Sequence, residues 1–203
     1  SDVLDESDPI RTGYDSVLNW VVEQGQVTSE CHVLDLGSGT GNLSSRIPAC
    51  AYLTCVDLSE KMTTLARPKL ERFAQIEFVQ ADILDYFMIH SASFDVIMST
   101  YTIHHLTEPE KTQLFEHIWD HLHPGGRAVF GDLMFQDQTA EQKAIQRYRE
   151  GVQSEVAEDI EEEFFWYVDR ALADLMRAGF RVEIKQFSDL SWGIAAKKFI
   201  SNE

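Results

Sequence analysis

A glycine-rich segment is the first candidate for ligand binding. It is Asp35-Leu36-Gly37-Ser38-Gly39-Thr40-Gly41, which we call the glycine loop. The loop follows an apolar run and is predicted to open a helix. Gly37 and Gly39 can adopt positive φ and let a ligand approach the backbone, while free amides at a helix start favour an anionic or carboxylate-bearing ligand. A dinucleotide fingerprint needs Gly-x-Gly-x-x-Gly, but Asn42 stands at its third glycine. The loop therefore predicts a nucleotide-like ligand and disfavours a nicotinamide cofactor, with a purely structural turn as the alternative.

Asp57 and Asp82 end two later apolar runs that we predict to be strands. In a doubly wound sheet, an acid at the position of Asp57 faces the ligand crevice and accepts hydrogen bonds from both ribose hydroxyls. Asp82 is placed to accept from the exocyclic amine of adenine, with Ile83 packing on the ring. The structural alternative for Asp57 is a helix N-cap, but Ser59 is better placed for that role. The two acids favour a ligand that contains a nucleoside.

The segment Ser99–His105 carries polar side chains as it leaves a further predicted strand. A histidine there can act as a general base because its ordinary pKa lies near neutral pH. Tyr101, His104 and His105 are therefore the candidate catalytic residues, with His104 favoured. The alternative is that one histidine caps a short helix and the other packs. Adjacent histidines are expected to point to different sides, so we predict no metal site.

Three further features could complete a pocket. Tyr14, in a helix before the first predicted strand, could close over a cofactor or only pack. Trp192 could line a substrate cleft, although a core position is favoured for so large an aromatic side chain. The polar, acidic and helix-prone segment 135–163 could be a lid, but a solvated helical face is the favoured interpretation.

These residues are positioned by alternating apolar and amphipathic segments, which predict βαβ units and a mostly parallel sheet. Two alternating runs, Phe180–Phe187 and Trp192–Phe199, predict a closing hairpin with one antiparallel strand. We therefore expect one α/β domain over residues 1–203, doubly wound around a seven-stranded sheet. The other five strands are predicted at Cys31–Leu36, Tyr52–Val56, Ile76–Gln80, Phe94–Ser99 and Arg127–Leu133.

Charge and cysteine content narrow the class of partner. The chain has 17 Lys and Arg against 34 Asp and Glu, a formal charge of −17, with scattered basic residues. Such a chain repels nucleic acid and anionic membranes, and it has no apolar stretch near the ~18 residues of a membrane span. Three irregularly spaced cysteines predict buried thiols in a reducing compartment, the cytoplasm. The expected substrate is a small molecule.

The ordered motifs together resemble the class I S-adenosylmethionine-dependent methyltransferases, whose fold is Rossmann-like. The segments that carry the resemblance are Val33–Asn42 (motif I), Val56–Ser59 (motif II), Gln80–Asp82 (motif III), Phe94–Ser99 (motif IV) and His123–Gly126, the turn before the fifth strand. The segment Ser99–Leu106 and the hairpin bearing Trp192 further resemble the small YrrT-like methyltransferases of Gram-positive bacteria.

The resemblance implies S-adenosylmethionine as cofactor and S-adenosylhomocysteine as product, with direct attack of a small acceptor on the sulfonium methyl group. It implies that the glycine loop holds the methionine moiety, Asp57 the ribose, and Asp82 with Ile83 the adenine. The implied cofactor-binding set is Asp35, Gly37, Ser38, Gly39, Thr40, Gly41, Asp57, Leu58, Met62, Asp82, Ile83, Ser99 and Tyr14. A nicotinamide-dependent oxidoreductase and a non-catalytic S-adenosylmethionine-binding module are the alternatives.

Overall fold

The structure is a computed structural model that describes residues 8–151 and 153–199. Its strands are β1 (His32–Leu36), β2 (Tyr52–Asp57), β3 (Ile76–Gln80), β4 (Phe94–Thr100), β5 (Leu122–Phe135), β6 (Trp166–Tyr167), β7 (Phe180–Gln186) and β8 (Ser191–Lys198). Its α-helices are α1 (Tyr14–Gly25), α2 (Glu60–Leu70), α3 (Ile83–Ile89), α4 (Glu108–His121), α5 (Gln138–Glu150), α6 (Ser154–Glu162) and α7 (Val168–Ala178). Single turns of 3-10 helix lie at Ser44–Arg46 and Ile103–His105.

The strands form one sheet in the order β3-β2-β1-β4-β5-β8-β7, and β6 pairs with β5 outside that path. Neighbours from β3 to β5 are parallel, whereas β8 runs antiparallel to both β5 and β7. The strand order reverses between β1 and β4, and open α/β sheets bind ligands beyond the carboxyl ends of strands at such a reversal. The predicted doubly wound, mostly parallel fold with an antiparallel C-terminal strand is confirmed.

Helices cover both faces of the sheet. On one face, Leu34 and Leu36 of β1 lie in a buried cluster with residues of α3, α4 and α7. On the other face, Val33 lies in a second cluster with residues of α1 and α2. A strand that is buried on both faces has a continuous apolar sequence rather than an alternating one, which explains why β1 could be predicted from its apolar run.

Two predicted boundaries differ from the structure. β5 begins at Leu122 rather than at Arg127, because Leu122 already pairs with Phe94 before an irregularity at residues 123–126. The apolar repeat in the sequence predicts a last helix that includes Phe164, but α7 begins only at Val168 because Trp166–Tyr167 pair with β5. Trp166 is only 1% exposed, and burial of this large aromatic side chain against the sheet favours the extended conformation.

The helix ends agree with the local signals in the sequence. The backbone N–H of Thr107 donates to Glu110 Oε2 at 2.7 Å, as expected for a capping box, and α4 begins at the next residue. Gly179, with φ of 105°, ends α7 in the left-handed conformation. No helix within the described ranges is long and apolar enough to cross a membrane.

Helices α5 and α6 lie in the predicted helix-prone segment and contribute to a third buried cluster. Tyr148 of α5 and Ile160 of α6 pack in it with Leu133 and Phe135 of β5. Glu158, Asp159, Glu161 and Glu162 of α6 face solvent. The acidic side chains therefore form the predicted solvated face, while the apolar side of the same helices covers the end of β5.

Candidate active site

The glycine loop leaves β1 in a conformation that favours glycine. The φ angles of Gly37, Gly39 and Gly41 are 69°, 51° and 77°. A Cβ at Gly37 would lie 2.2 Å from Thr102 Oγ1, and one at Gly41 would lie 3.1 Å from Ala66 Cβ of α2. Among the described residues, a Cβ at Gly39 would meet only the Gly37 carbonyl oxygen, at 3.9 Å. Gly37 and Gly41 therefore permit close packing within the protein, whereas the loop is open at Gly39.

The loop does not open an α-helix as predicted, and only part of its backbone amides are free. The loop is followed by a single 3-10 turn, Ser44–Arg46, because Pro48 restricts Ile47 to an extended conformation. The Gly37 amide donates to the Val56 carbonyl oxygen at 2.8 Å, and the Gly39 amide donates to Asp57 Oδ2 at 2.7 Å. These amides hold the loop against β2 and are not free for an anion.

Asp57 ends β2 beside the loop, as predicted. In addition to the bond from Gly39, its Oδ1 accepts from the Ser59 amide at 2.8 Å. Ser59 caps α2, since its Oγ accepts from the Met62 amide at 3.4 Å. A carboxylate has about four lone-pair sites, so Asp57 can accept further hydrogen bonds from a ligand while it holds the loop.

Asp82 is the N-cap of α3. Its Oδ1 accepts from the Leu84 amide at 2.8 Å and from the Asp85 amide at 3.4 Å. Ile83 is buried in the adjoining core. The capping role is thus observed, and the adenine-binding role of Asp82 and Ile83 stays a prediction.

Leu58, Met62 and Leu65 present apolar side chains to solvent along the start of α2. Their exposed fractions are 69%, 38% and 48%, and Leu65 also lines a cavity of about 720 Å³. A local group of exposed apolar side chains is typical of a surface that a ligand or partner covers. Leu58 and Met62 were both predicted from the sequence to contact the cofactor.

Asp35 is buried below the loop, with 1% of its surface exposed. Ser44 Oγ donates to its Oδ2 at 2.6 Å, whereas Oδ1 has no hydrogen-bond partner among the described residues. Burial raises the pKa of the Asp35 carboxyl to about 7; the bond from Ser44 opposes this rise, and the charge of Asp57 adds to it. The Ser38 hydroxyl is likewise buried without a partner in the described chain. Asp35 Oδ1 and Ser38 Oγ are therefore two buried polar atoms without a hydrogen-bond partner among the described residues.

Ser99, also predicted to bind cofactor, is 1% exposed. Its hydroxyl donates to the Leu36 carbonyl oxygen at 2.7 Å and so links β4 to β1. A cofactor contact by this hydroxyl stays a prediction.

A cavity of about 720 Å³ lies at the carboxyl edge of the sheet. It brings together side chains that are distant in sequence: Arg11, Tyr14, Thr40, Lys69, Tyr101 and His104. The rings of Tyr14 and Tyr101 stack with centroids 5.0 Å apart, and Asn42 Nδ2 donates to the Tyr14 hydroxyl at 3.1 Å. Tyr14 and Tyr101 thus form one wall next to the glycine loop. Trp192 instead lies in the core and lines a different cavity, against α5.

His104 is held by a buried acid that the sequence analysis missed. Its Nδ1 lies 2.5 Å from Asp132 Oδ1, and Asp132 also accepts from the amides of Ile103 and Leu133, each at 2.8 Å. Burial alone would lower the pKa of His104, but the charge and hydrogen bond of Asp132 outweigh it and the pKa is raised. Burial raises the pKa of Asp132, yet the charge and hydrogen bond of His104 with those two amides outweigh it and the pKa is lowered. Both shifts favour an ionised pair.

His105 lies beside His104, with ring centroids 4.1 Å apart. Its Nδ1 is 2.8 Å from Oε2 of Glu163, at the end of α6. The expectation that the two histidines point to different sides is wrong, because the 3-10 turn at Ile103–His105 brings both rings together.

Asp132 and Glu163 were both missed by sequence reasoning, but only Asp132 stands out in its sequence context. Asp132 is an acid within the otherwise apolar run of β5, and such a residue needs a buried partner. Glu163 is one of several acids in a row, and nothing in that pattern distinguishes it from its neighbours.

Comparison with known proteins assigns the family. A family model described as "Methyltransferase domain" matches residues 33–126. The chain is 34% identical over 186 residues to the uncharacterized methyltransferase OB1106 of Oceanobacillus iheyensis, covering 91% of this chain and 84% of that protein. It is also 34% identical over 188 residues to the uncharacterized methyltransferase YrrT of Bacillus subtilis, covering 92% and 84%. The chain belongs to the class I S-adenosylmethionine-dependent methyltransferases.

Solved structures agree in fold. The N-methyltransferase NodS from Bradyrhizobium japonicum, in complex with S-adenosylhomocysteine, has a TM-score of 0.70 at 14% identity and covers 98% of this chain and 92% of its own. Magnesium protoporphyrin IX methyltransferase from Synechocystis, also with bound S-adenosylhomocysteine, has a TM-score of 0.66 at 18% identity, covering 94% and 85%. Membership in this family decides against the oxidoreductase alternative.

Proposed function

We propose that this methyltransferase uses S-adenosylmethionine to methylate a small-molecule acceptor in the cavity between the glycine loop and His104. The observation that carries the proposal is the cavity of about 720 Å³, which has Thr40 of the loop on one side and Tyr101 with His104 on another. This volume is typical of small-ligand sites. The net charge of −17 and the scattered basic residues argue against a nucleic-acid acceptor.

The residues at the loop fit the cofactor. The unpartnered, buried Asp35 Oδ1 is an acceptor that the ammonium group of a methionine moiety can satisfy. Asp57 has lone pairs left for ribose hydroxyls, and the exposed Leu58 and Met62 offer apolar surface to a base. When bound, the cofactor supplies an electrophilic methyl group.

On the acceptor side, the chain's own groups provide placement and a dry environment. Asp132 fixes the ring orientation of His104, and the stacked Tyr14 and Tyr101 form a rigid wall. The apolar cluster between α5, α6 and β5 covers the adjoining edge of the sheet. Methyl transfer depends mainly on in-line placement and exclusion of water, which these features serve. Tyr101, His104 and His105 are our proposed acceptor-side residues.

Titration of the purified protein with S-adenosylhomocysteine tests the cofactor site. Asp57→Ala is expected to weaken binding by at least tenfold, about 1.4 kcal/mol. The matched control is Asp85→Ala, which removes an exposed acid on α3. Unchanged affinity in Asp57→Ala would show that the ribose assignment is wrong.

Since Asp57 also holds Gly39, a second ligand separates the two roles. The 2′-deoxy analogue of S-adenosylhomocysteine should bind the parent protein more weakly, because it lacks one hydroxyl. Asp57→Ala should bind both ligands equally. If the variant discriminates between them as the parent does, Asp57 does not contact the ribose and only supports the loop.

The acceptor class is tested by incubating the protein and labelled S-adenosylmethionine with a cell extract, followed by separation by size. We expect label in the low-molecular-weight fraction. Label confined to RNA or protein would overturn the small-molecule proposal and leave the methyltransferase assignment intact.

A further inference from the structure

We propose that His104, His105 and Glu163 form a binding site for a divalent transition-metal ion at the edge of the acceptor cavity. One ring nitrogen from each histidine and one carboxylate oxygen of Glu163 lie within 4.8 Å of one another. His105 Nδ1 and Glu163 Oε2 are already 2.8 Å apart. Protein–metal bonds of about 2.0–2.2 Å place tetrahedral ligand atoms roughly 3.3–3.6 Å apart. The widest separation in the cluster must therefore shorten, and the contact between His105 and Glu163 must lengthen slightly.

The surroundings of His104 are those of a metal ligand. Asp132 occupies Nδ1, which leaves Nε2 as the nitrogen available to an ion. Metal-binding histidines regularly donate their other ring N–H to a carboxylate, which fixes the ring and strengthens the ligand. The amides of Ile103 and Leu133 hold Asp132 in turn. The ion would replace the proton on Nε2, as metal binding to histidine requires.

Glu163 is held beside the histidines by the backbone. The amide of the next residue, Phe164, donates to the His104 carbonyl oxygen at 2.9 Å. The Phe164 carbonyl oxygen accepts from the buried ammonium group of Lys111. These contacts fix the end of α6 against the turn that carries both histidines, so the three side chains are brought together by ordered structure.

The donor set selects the kind of ion. Two imidazoles and one carboxylate suit Zn²⁺, Fe²⁺, Co²⁺ or Ni²⁺, whereas Mg²⁺ and Ca²⁺ prefer sites built from oxygen. Glu163 and Asp132 supply two carboxylates near the ion, and the overall charge of −17 raises the local concentration of cations. The positive charge of Lys111 is offset by Glu108, 3.1 Å away.

Three protein ligands leave at least one coordination position open. Because His104 also lines the acceptor cavity, an oxygen, nitrogen or sulfur atom of the acceptor can occupy that position. A bound ion lowers the pKa of a coordinated hydroxyl or thiol, whose proton passes to solvent. This role of the ion rests on the proposed function, whereas the site itself does not.

Titration of untagged, chelator-treated protein with CoCl₂ tests the site, followed by calorimetry and by the visible absorption of bound Co²⁺. We expect one ion per chain. His105→Ala and Glu163→Gln should each weaken binding by about tenfold or more. The matched controls, His123→Ala and Glu162→Gln, change exposed residues of the same types outside the cluster and should bind Co²⁺ as the parent does.

Both cluster variants change partly exposed side chains, so both should fold, which an unchanged circular dichroism spectrum and an unchanged midpoint of urea unfolding verify. Absence of stoichiometric Co²⁺ binding by the parent would overturn the site. Equal weakening in the control variants would also overturn it, since binding would then be non-specific. Displacement of Co²⁺ by equimolar MgCl₂ would overturn the assignment to transition metals. This titration contains neither cofactor nor acceptor. A negative result therefore counts against the metal site and leaves the proposed function untouched.

Discussion

Replacing Asp35 by asparagine is expected to change how the stability of the protein depends on pH. Asp35 is 1% exposed, and burial raises the pKa of its carboxyl from 3.8 to about 7. Between these values, the folded protein keeps a proton that the unfolded chain has lost, so folding becomes less favourable as pH rises. At 1.36 kcal/mol for each unit, the full effect is about 4 kcal/mol. The asparagine side chain of the variant carries no charge at any of these pH values, so this part of the pH dependence disappears.

The assay is urea unfolding of the parent and of Asp35→Asn in the ligand-free state at several pH values from about 4 to 8. Other titrating groups contribute equally to both proteins, so the difference between their free energies of unfolding isolates Asp35. We expect the parent to lose about 4 kcal/mol relative to the variant across this range. A constant difference would refute the reasoning, because it would mean that Asp35 is ionised in the folded protein as readily as in the unfolded chain.

The remaining predictions concern packing, a buried pair and net charge. Gly37→Ala should lower the free energy of unfolding by at least about 2 kcal/mol more than Gly39→Ala does. Both variants strain a positive φ, but only Gly37→Ala places a Cβ 2.2 Å from Thr102. Equal losses in urea unfolding would contradict this. Asp132→Asn should lower the free energy of unfolding by about 3–5 kcal/mol, because it leaves His104 without its buried counter-charge. A decrease of less than about 1 kcal/mol in urea unfolding would show that the pair is effectively solvated. Added NaCl should raise the Tm, because screening reduces the self-repulsion of a chain with charge −17; a fall in Tm in calorimetry would show that attractive ion pairs dominate.

The proposed cofactor side of the site was largely predictable from local sequence. Gly37, Gly39 and Asp57 follow strands whose apolar runs are continuous, and parallel neighbouring strands end at the same edge of the sheet. Their proximity therefore follows from the strand assignment alone. The hydrogen bond from Gly39 to Asp57 was not predictable, because it depends on how far the loop folds back over β2.

The proposed acceptor side depended on contacts between distant segments. Asp132 lies 28 residues from His104, and Glu163 lies 58 residues from His105. The first contact requires β5 to lie next to β4. The second requires α6 to end beside the turn after β4. An acidic run in a sequence does not indicate which of its members meets a partner.

The sequence by itself determined the strands other than β6, the carboxyl-edge position of the glycine loop and Asp57, and the helical character of the segments that form α5 and α6. These properties follow from burial periodicity and turn chemistry, which act over a few neighbouring residues. Only the tertiary structure decided that the amides of Gly37 and Gly39 are already bonded, that His104 pairs with Asp132, and that His105 meets Glu163. Such pairings depend on the order of strands in the sheet and on the placement of α6, which local patterns do not encode.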